Sequence, residues 1–272
     1  MFEEFAPKVA PNVHLFANID ITLDPAITAE FANVVYRFGH SMLTETLNID
    51  GDPTAEGFQD MSLIEAFTNP LGYLAQGSDA AGAIVTGTTG QIANEIGEFV
   101  TGTLRNNLLG LPLDLAAINI ARGRDTGVAP LNLVRNQIYS QIGDSNLKPY
   151  ANWAEFGQFL KHAASLVNFV AAYGTHASVI GAQTVEAKRA APLELVVAGL
   201  DTPRTGTDAW DFMHSLGAYA NDTANPLAVQ ASWSTGSVTG LDTVDLWIGG
   251  LAEKQNLFGG LLGSTFNFIF EN

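Results

Sequence analysis

Residues 29–47 read AEFANVVYRFGHSMLTETL. Phe31, Val35, Phe38 and Met42 recur at i, i+4, i+7 and i+11, which predicts a helix with one buried stripe. Arg37 and His40 stand three residues apart, so both side chains leave that helix on one face. Gly39 lies between them and costs about 1 kcal/mol relative to alanine in a helix interior. Such a cost is easier to understand where something bulky and flat passes close to the backbone.

A second stretch shows the same layout. Residues 113–125 read LDLAAINIARGRD, a helical candidate in which Asn119 and Arg122 are again three apart. Leu113, Ala117 and Ile120 fall on the opposite side. If the two helices face each other, they gather an imidazole, a carboxamide and two guanidinium groups. A neutral imidazole binds iron well, and its second ring nitrogen needs a partner that fixes tautomer and orientation. A carboxamide oxygen serves that purpose, and arginines pair with carboxylates such as propionates by charge-assisted hydrogen bonds. Spacing alone does not name a haem. A single histidine in an apolar helix is more often a satisfied core residue, and arginines near polar groups are usually surface ion pairs.

The rest of the chain reads as mainly α-helical. Further helices are expected in 60–67, 90–110, 131–142, the stretch WAEFGQFLKHAASLVNFVAAYG (153–174), LELVVAGL (193–200) and the C-terminal runs DLWIGGLAE and FGGLLGSTFNFIFEN. In 131–142, Leu133, Val134, Ile138 and Ile142 are expected on one side. Alternating strand patterns are nearly absent. Residues 48–57, NIDGDPTAEG, carry an acidic cluster without EF-hand spacing and read better as a solvated turn. From 146 to 240 the chain turns Ala-, Gly- and Thr-rich, with weaker periodicity.

Composition narrows the partners. The chain has 272 residues, 47% of them hydrophobic and 15% charged, enough for a sizeable core. Twenty-eight acidic against 12 basic residues give a net charge of −16, which argues against nucleic acid and anionic membranes. The absence of cysteine excludes disulfides, thiolate metal sites and cysteine catalysis. The start, MFEEFAPKVAPNV, lacks the basic and apolar regions of a signal peptide. No stretch reaches the roughly 18 apolar residues of a membrane span. The sequence reads as that of a soluble protein.

YRFGHSML (36–43) and DLAAINIARGRDTG (114–127) resemble the two most recognisable motifs of the animal haem peroxidase superfamily. DLWIGGLAE (245–253) is similar to a third, and LRNNLLG (104–110) fits the helix end before the second. The resemblance implies a haem-peroxidase-like helical domain over 1–272, incomplete, with an insertion at about 146–240. It implies that His40 is the proximal iron ligand, that Asn119 bonds it, and that Arg37 and Arg122 contact the haem propionates. Arg124 and Asp125 would shape the turn after the helix. The cofactor implied is haem b. Covalent attachment and a calcium ion are expected only of the full protein. The activity implied is oxidation of small donors by hydrogen peroxide, in keeping with a response to oxidative stress, in a secreted bacterial protein.

The sequence departs from the family pattern in two places. Thr126 stands where the family usually has His, a position that does not ligate iron. More seriously, the distal histidine and arginine should precede the RFGH motif, and none of the 36 residues before Arg37 resembles them. His14 is a candidate on residue type alone, and His162, His176 and His214 are expected as core or surface residues. The chain by itself is therefore expected to turn over peroxide weakly or not at all. The alternatives are a split subunit, completed by the missing N-terminal half or a partner chain, and a non-catalytic binding or adhesion module of a large secreted protein.

Overall fold

The computed structural model describes residues 22, 24, 26–49, 60–75, 80–201, 206–220, 238–255 and 260–271. His14 and most of the acidic loop at 48–57 lie outside them. The chain forms two compact units, one of residues 37–122 and one of residues 1–36 with 123–272.

The elements bear out a mainly α-helical fold. In chain order they are α1 (Ala29–Asn33), β1 (Thr46–Leu47), β2 (Met61–Ser62), α2 (Leu63–Thr68), α3 (Pro70–Ala75), α4 (Ala80–Gly90), α5 (Gly102–Asn106), α6 (Leu115–Asp125), α7 (Leu131–Ile142), α8 (Trp153–Gln158), α9 (Ser165–Tyr173), α10 (Ala177–Ile180), α11 (Val185–Leu200), α12 (Asp208–Met213), α13 (Leu246–Ala252) and α14 (Ser264–Glu271). Short 3-10 turns join several of them. The strands pair antiparallel, Thr46 opposite Ser62 and Leu47 opposite Met61.

The helix expected over 29–47 is broken. Its α-helical part ends at Asn33, because Val34 adopts φ −126° and ψ −71°. Val35–Met42 then winds as a 3-10 helix. In a 3-10 helix residues i and i+3 eclipse, so the change aligns Arg37 and His40 more closely than an α-helix would. The expected 90–110 helix also fails. Only Gly102–Asn106 is α-helical, and residues 91–101 run without regular structure. Gly97 and Gly102 weaken helix propensity there, and side-chain bonds described below hold the segment open.

Other boundaries follow local chemistry. Ser62 and Glu65 form a reciprocal capping box that starts α2. Thr184 caps α11, which continues through the buried Pro192 instead of starting after it. Proline has no N–H to donate to the carbonyl one turn earlier, so the packing of Leu195, Val196 and Gly199 beyond it must offset that loss.

The larger unit is built around Trp153, Phe156, Phe169 and Phe212, with Trp247, Leu251 and Phe266 also buried. Phe156 meets Phe169 edge-on at 5.1 Å, and Trp153 donates its indole N–H to the Thr239 carbonyl at 2.9 Å. Gly240 follows at φ +88°, where a Cβ would overlap the Tyr173 carbonyl. On α7 the buried face is Leu131, Asn132, Val134, Arg135 and Ile138. It is turned from the expected one: Ile142 is 50% exposed, and Arg135 takes a place in the interior.

That arginine is almost completely enclosed, as is its partner Glu253, their nitrogen and oxygen 2.7 Å apart. Arg135 also donates to the Lys148 and Asn146 carbonyls and to the Ser264 and Thr265 hydroxyls. Its guanidinium lies 4.2 Å from the centre of the Tyr150 ring. Glu253 accepts from the Tyr150 hydroxyl at 2.9 Å and from the Thr265 hydroxyl and amide. Burial beside that carboxylate pushes the Tyr150 phenol far above its usual range. The network ties α7 to the last turn of α13 and the start of α14, which are more than a hundred residues away in the chain.

Candidate functional site

All four residues singled out in the sequence belong to the unit of residues 37–122. His40 Nδ1 lies 2.9 Å from the Asn119 amide nitrogen. Asn119 is 1% exposed and His40 is half-buried. On α6 the buried side is thus the one bearing Asn119, while Leu113, placed on the opposite side, is 44% exposed. Arg37 is half-buried and Arg122 exposed.

Burial holds the His40 pKa below its ordinary value; the Arg37 guanidinium lowers it further, and the Asn119 hydrogen bond partly offsets both. The ring is therefore neutral at pH 7, the form that ligates metal. Nε2 of His40 has no hydrogen-bond partner among the described residues. The Asn119 carbonyl oxygen is likewise buried without one. The two ends of a carboxamide exchange by a half turn about its terminal torsion. With its nitrogen toward the ring, Asn119 donates to Nδ1 and the imidazole proton sits on Nε2. With its oxygen toward the ring, it accepts the Nδ1 proton, and the Nε2 lone pair points away for a metal. One end of the amide lacks a partner either way, but only the second arrangement suits ligation. A Cβ added at Gly39 would meet nothing within 4 Å among the described residues. The donor set, the neutral ring and an amide free to turn its unpartnered oxygen toward Nδ1 fit a haem held by His40.

What keeps His40 in place was not apparent in the sequence. Ser41 is fully buried; its hydroxyl donates to the Phe38 carbonyl and accepts from the Gly97 amide. Asn94 bonds the Met42 and Leu43 carbonyls. Gln91 bonds Thr44, Thr46 and Asn48. Glu45 accepts from the amides of Gly102 and Thr103 and from the Thr103 hydroxyl. These bonds tie Gln91, Asn94, Gly97, Gly102 and Thr103 to the His40 segment, and the Asn94 and Gly97 amides reach Met42 and Ser41 instead of a carbonyl one helical turn back. Long polar side chains in a Gly-rich stretch were the only signal.

The Thr103 hydroxyl, with the Thr103 and Gly102 amides, holds the Glu45 carboxyl below its usual range. A depressed carboxyl contributes stability above its unfolded pKa, about 4.3, and loses it as pH falls through the folded value. Glu45→Gln should lower the urea midpoint at pH 7 and leave it unchanged near pH 2. An equal deficit at both pH values would mean that packing, not charge, is what Glu45 supplies.

Arg124 and Asp125 were expected to shape the turn after α6. The Arg124 carbonyl accepts the Gly127 amide in that turn, and its guanidinium makes a two-pronged bond to Asp245 at 2.8 and 2.6 Å, which joins the second sequence motif to the third. Tyr173 donates to the same carboxylate at 2.7 Å. Among the described residues no cluster of three or more His, Asp or Glu side chains is placed to hold a metal ion. No described helix is long and apolar enough to cross a membrane.

The sequence model for animal haem peroxidases matches residues 3–181. This chain belongs to the animal haem peroxidase family. Peroxinectin A of Dictyostelium discoideum is 25% identical over 158 residues, 57% of this chain and 28% of that protein. The solved structure of Peroxidase A from the same organism superposes with a TM-score of 0.53 and 18% identity, over 95% of this chain and 35% of that one. A fatty acid alpha-dioxygenase from Oryza sativa aligns at a TM-score of 0.46 and 17% identity, over 90% of this chain and 30% of that one. The chain thus spans about a third of the length of these relatives.

Proposed function

We propose that this chain forms the proximal, haem-binding part of a peroxidase that oxidises small donors with hydrogen peroxide. The observation that carries the reading is the buried contact between His40 and Asn119, together with an imidazole kept neutral by its surroundings. His40 would hold the haem iron through Nε2. Asn119 would orient the ring and keep the proton on Nδ1. Arg37 and Arg122 would pair with the propionates. The chemistry that haem would supply here is two-electron reduction of peroxide, with replacement electrons coming from the donor. The residues of this chain would set the basicity of His40 Nε2 and hold the propionates.

Distal groups are assigned to further sequence or to a partner chain. Large apolar side chains of the 37–122 unit are open to solvent, Ile92 at 89% and Leu71 at 71%. We place 1–272 in a single peroxidase-like domain with an insertion near 146–240, in a secreted protein.

Asn119→Asp tests the contact without removing the ligand. A carboxylate draws the Nδ1 proton and makes the axial nitrogen more electron-rich. The variant should retain haem and lower its reduction potential by on the order of 60 mV, tenfold in a one-electron equilibrium. An unaltered potential in the haem-loaded variant would count against the contact.

A further inference from the structure

Far along the chain from His40, another histidine sits at the centre of a chain of hydrogen bonds. His176 is 8% exposed and stands at the N-cap of α10. Its Nδ1 accepts the Ser178 amide proton at 3.2 Å and lies 2.8 Å from the Ser178 hydroxyl oxygen. Its Nε2 lies 2.8 Å from one carboxylate oxygen of Asp208, the first residue of α12. The other oxygen of Asp208 accepts from the Tyr219 hydroxyl at 3.0 Å. The rings of Phe212 and Tyr219 flank the imidazole, with centroids 5.1 and 5.8 Å away.

The backbone amide decides the tautomer. Because the Ser178 N–H points at Nδ1, that nitrogen carries the lone pair, and the ring proton sits on Nε2 and is donated to Asp208. The Ser178 hydroxyl then donates to Nδ1 as well. A hydroxyl in front of an imidazole with a carboxylate behind it is the arrangement that activates a serine, here with the two ring nitrogens exchanged. A capping histidine needs only the amide contact. The hydroxyl and the carboxylate are additional. Ser178 is exposed while His176 is buried, so an electrophile can reach the hydroxyl and the base stays sheltered.

We propose that Ser178 is a nucleophile toward carboxylic esters and related activated acyl or phosphonyl compounds. His176 acts as its base and Asp208 as a positioning residue. The serine oxygen bonds to the ester carbonyl carbon as its proton passes to Nδ1 of His176. The ester C–O bond breaks, and His176 returns the proton to the departing alkoxide. The products are an alcohol and an acyl group on Ser178, which water removes as the carboxylic acid by the reverse route. Asp208 fixes the ring and stabilises its charged form throughout.

The test is covalent labelling of the full chain with an alkyl fluorophosphonate, in which the serine oxygen displaces fluoride, with mass spectrometry to locate the adduct. Ser178 should be labelled roughly 100-fold faster than Ser145, an exposed serine with no such base, as general-base assistance implies. Ser178→Ala should abolish the adduct. His176→Asn keeps an acceptor able to cap α10 and removes the base, so labelling of Ser178 should fall to the Ser145 rate with unchanged circular dichroism. Asp208→Asn should slow labelling, and Asp208→Glu should restore part of it. Absence of an adduct on Ser178, or a His176→Asn variant labelled as fast as the original, would show that the histidine only caps the helix.

Discussion

His40→Ala should abolish haem binding. Titrated with haemin, the original chain should develop a sharp Soret band that saturates at one equivalent. The variant should give only the broad spectrum of unligated haemin, with affinity reduced by at least about 100-fold, since loss of groups that merely support a metal ligand already costs 10–100-fold. The fold should survive, because His40 is half-buried and its removal leaves an opening that solvent can enter. Free imidazole added to the variant should restore part of the band by occupying the position of the lost ring. A variant with the original spectrum and affinity would remove His40 from the role given to it here.

The second large effect lies in the other unit. Glu253→Ala would leave the Arg135 guanidinium enclosed with no counter-charge, and breaking a buried pair in this way costs about 3–5 kcal/mol. At roughly 2–4 °C of melting temperature per kcal/mol for a chain of this size, the midpoint should fall by about 10 °C. Replacing both partners with apolar residues, Arg135→Met with Glu253→Leu, should recover much of the loss, because the interior then holds no lone charge. Tyr150 and Thr265, which now donate to Glu253, would keep the recovery incomplete. A loss below about 1 kcal/mol for Glu253→Ala would mean that the guanidinium finds enough in the carbonyls of Asn146 and Lys148.

How far these features could be read from the sequence depends on the range of the interactions involved. Helices α6 and α7 were legible because their residues repeat at helical spacing and their ends carry turn signals, and α7 matches residue for residue. The juxtaposition of His40 with Asn119 was legible from motif resemblance, not from periodicity: 79 residues separate them. The break at Val34 was not legible, since an apolar stripe continues through it, and the 3-10 turn preserves the three-residue spacing of Arg37 and His40. The segment 91–101 misled because its apolar residues are spaced like a helix, whereas the Asn94 and Gly97 amides bond Met42 and Ser41, and the Gln91 and Asn94 side chains bond Leu43, Thr44, Thr46 and Asn48. Such long-range side-chain bonds leave no periodic trace.

Arg135 left a readable sign that went unused. It lies three residues before Ile138 and four after Leu131, inside an apolar stripe, and a charge at such a place needs a buried partner. The partner closes the third motif, Glu253 of DLWIGGLAE. That motif therefore serves the core of its own unit, and Asp245 at its other end serves Arg124.

Resonance Raman spectroscopy of the ferrous, haem-loaded chain addresses the central assignment most directly, because it reports the bond between iron and an axial histidine nitrogen. An iron–histidine stretch should be present, absent in His40→Ala, and shifted to higher frequency in Asn119→Asp as the axial nitrogen gains electron density. The same stretch persisting in His40→Ala, or standing unmoved in Asn119→Asp, would contradict a haem held by His40 and tuned by Asn119.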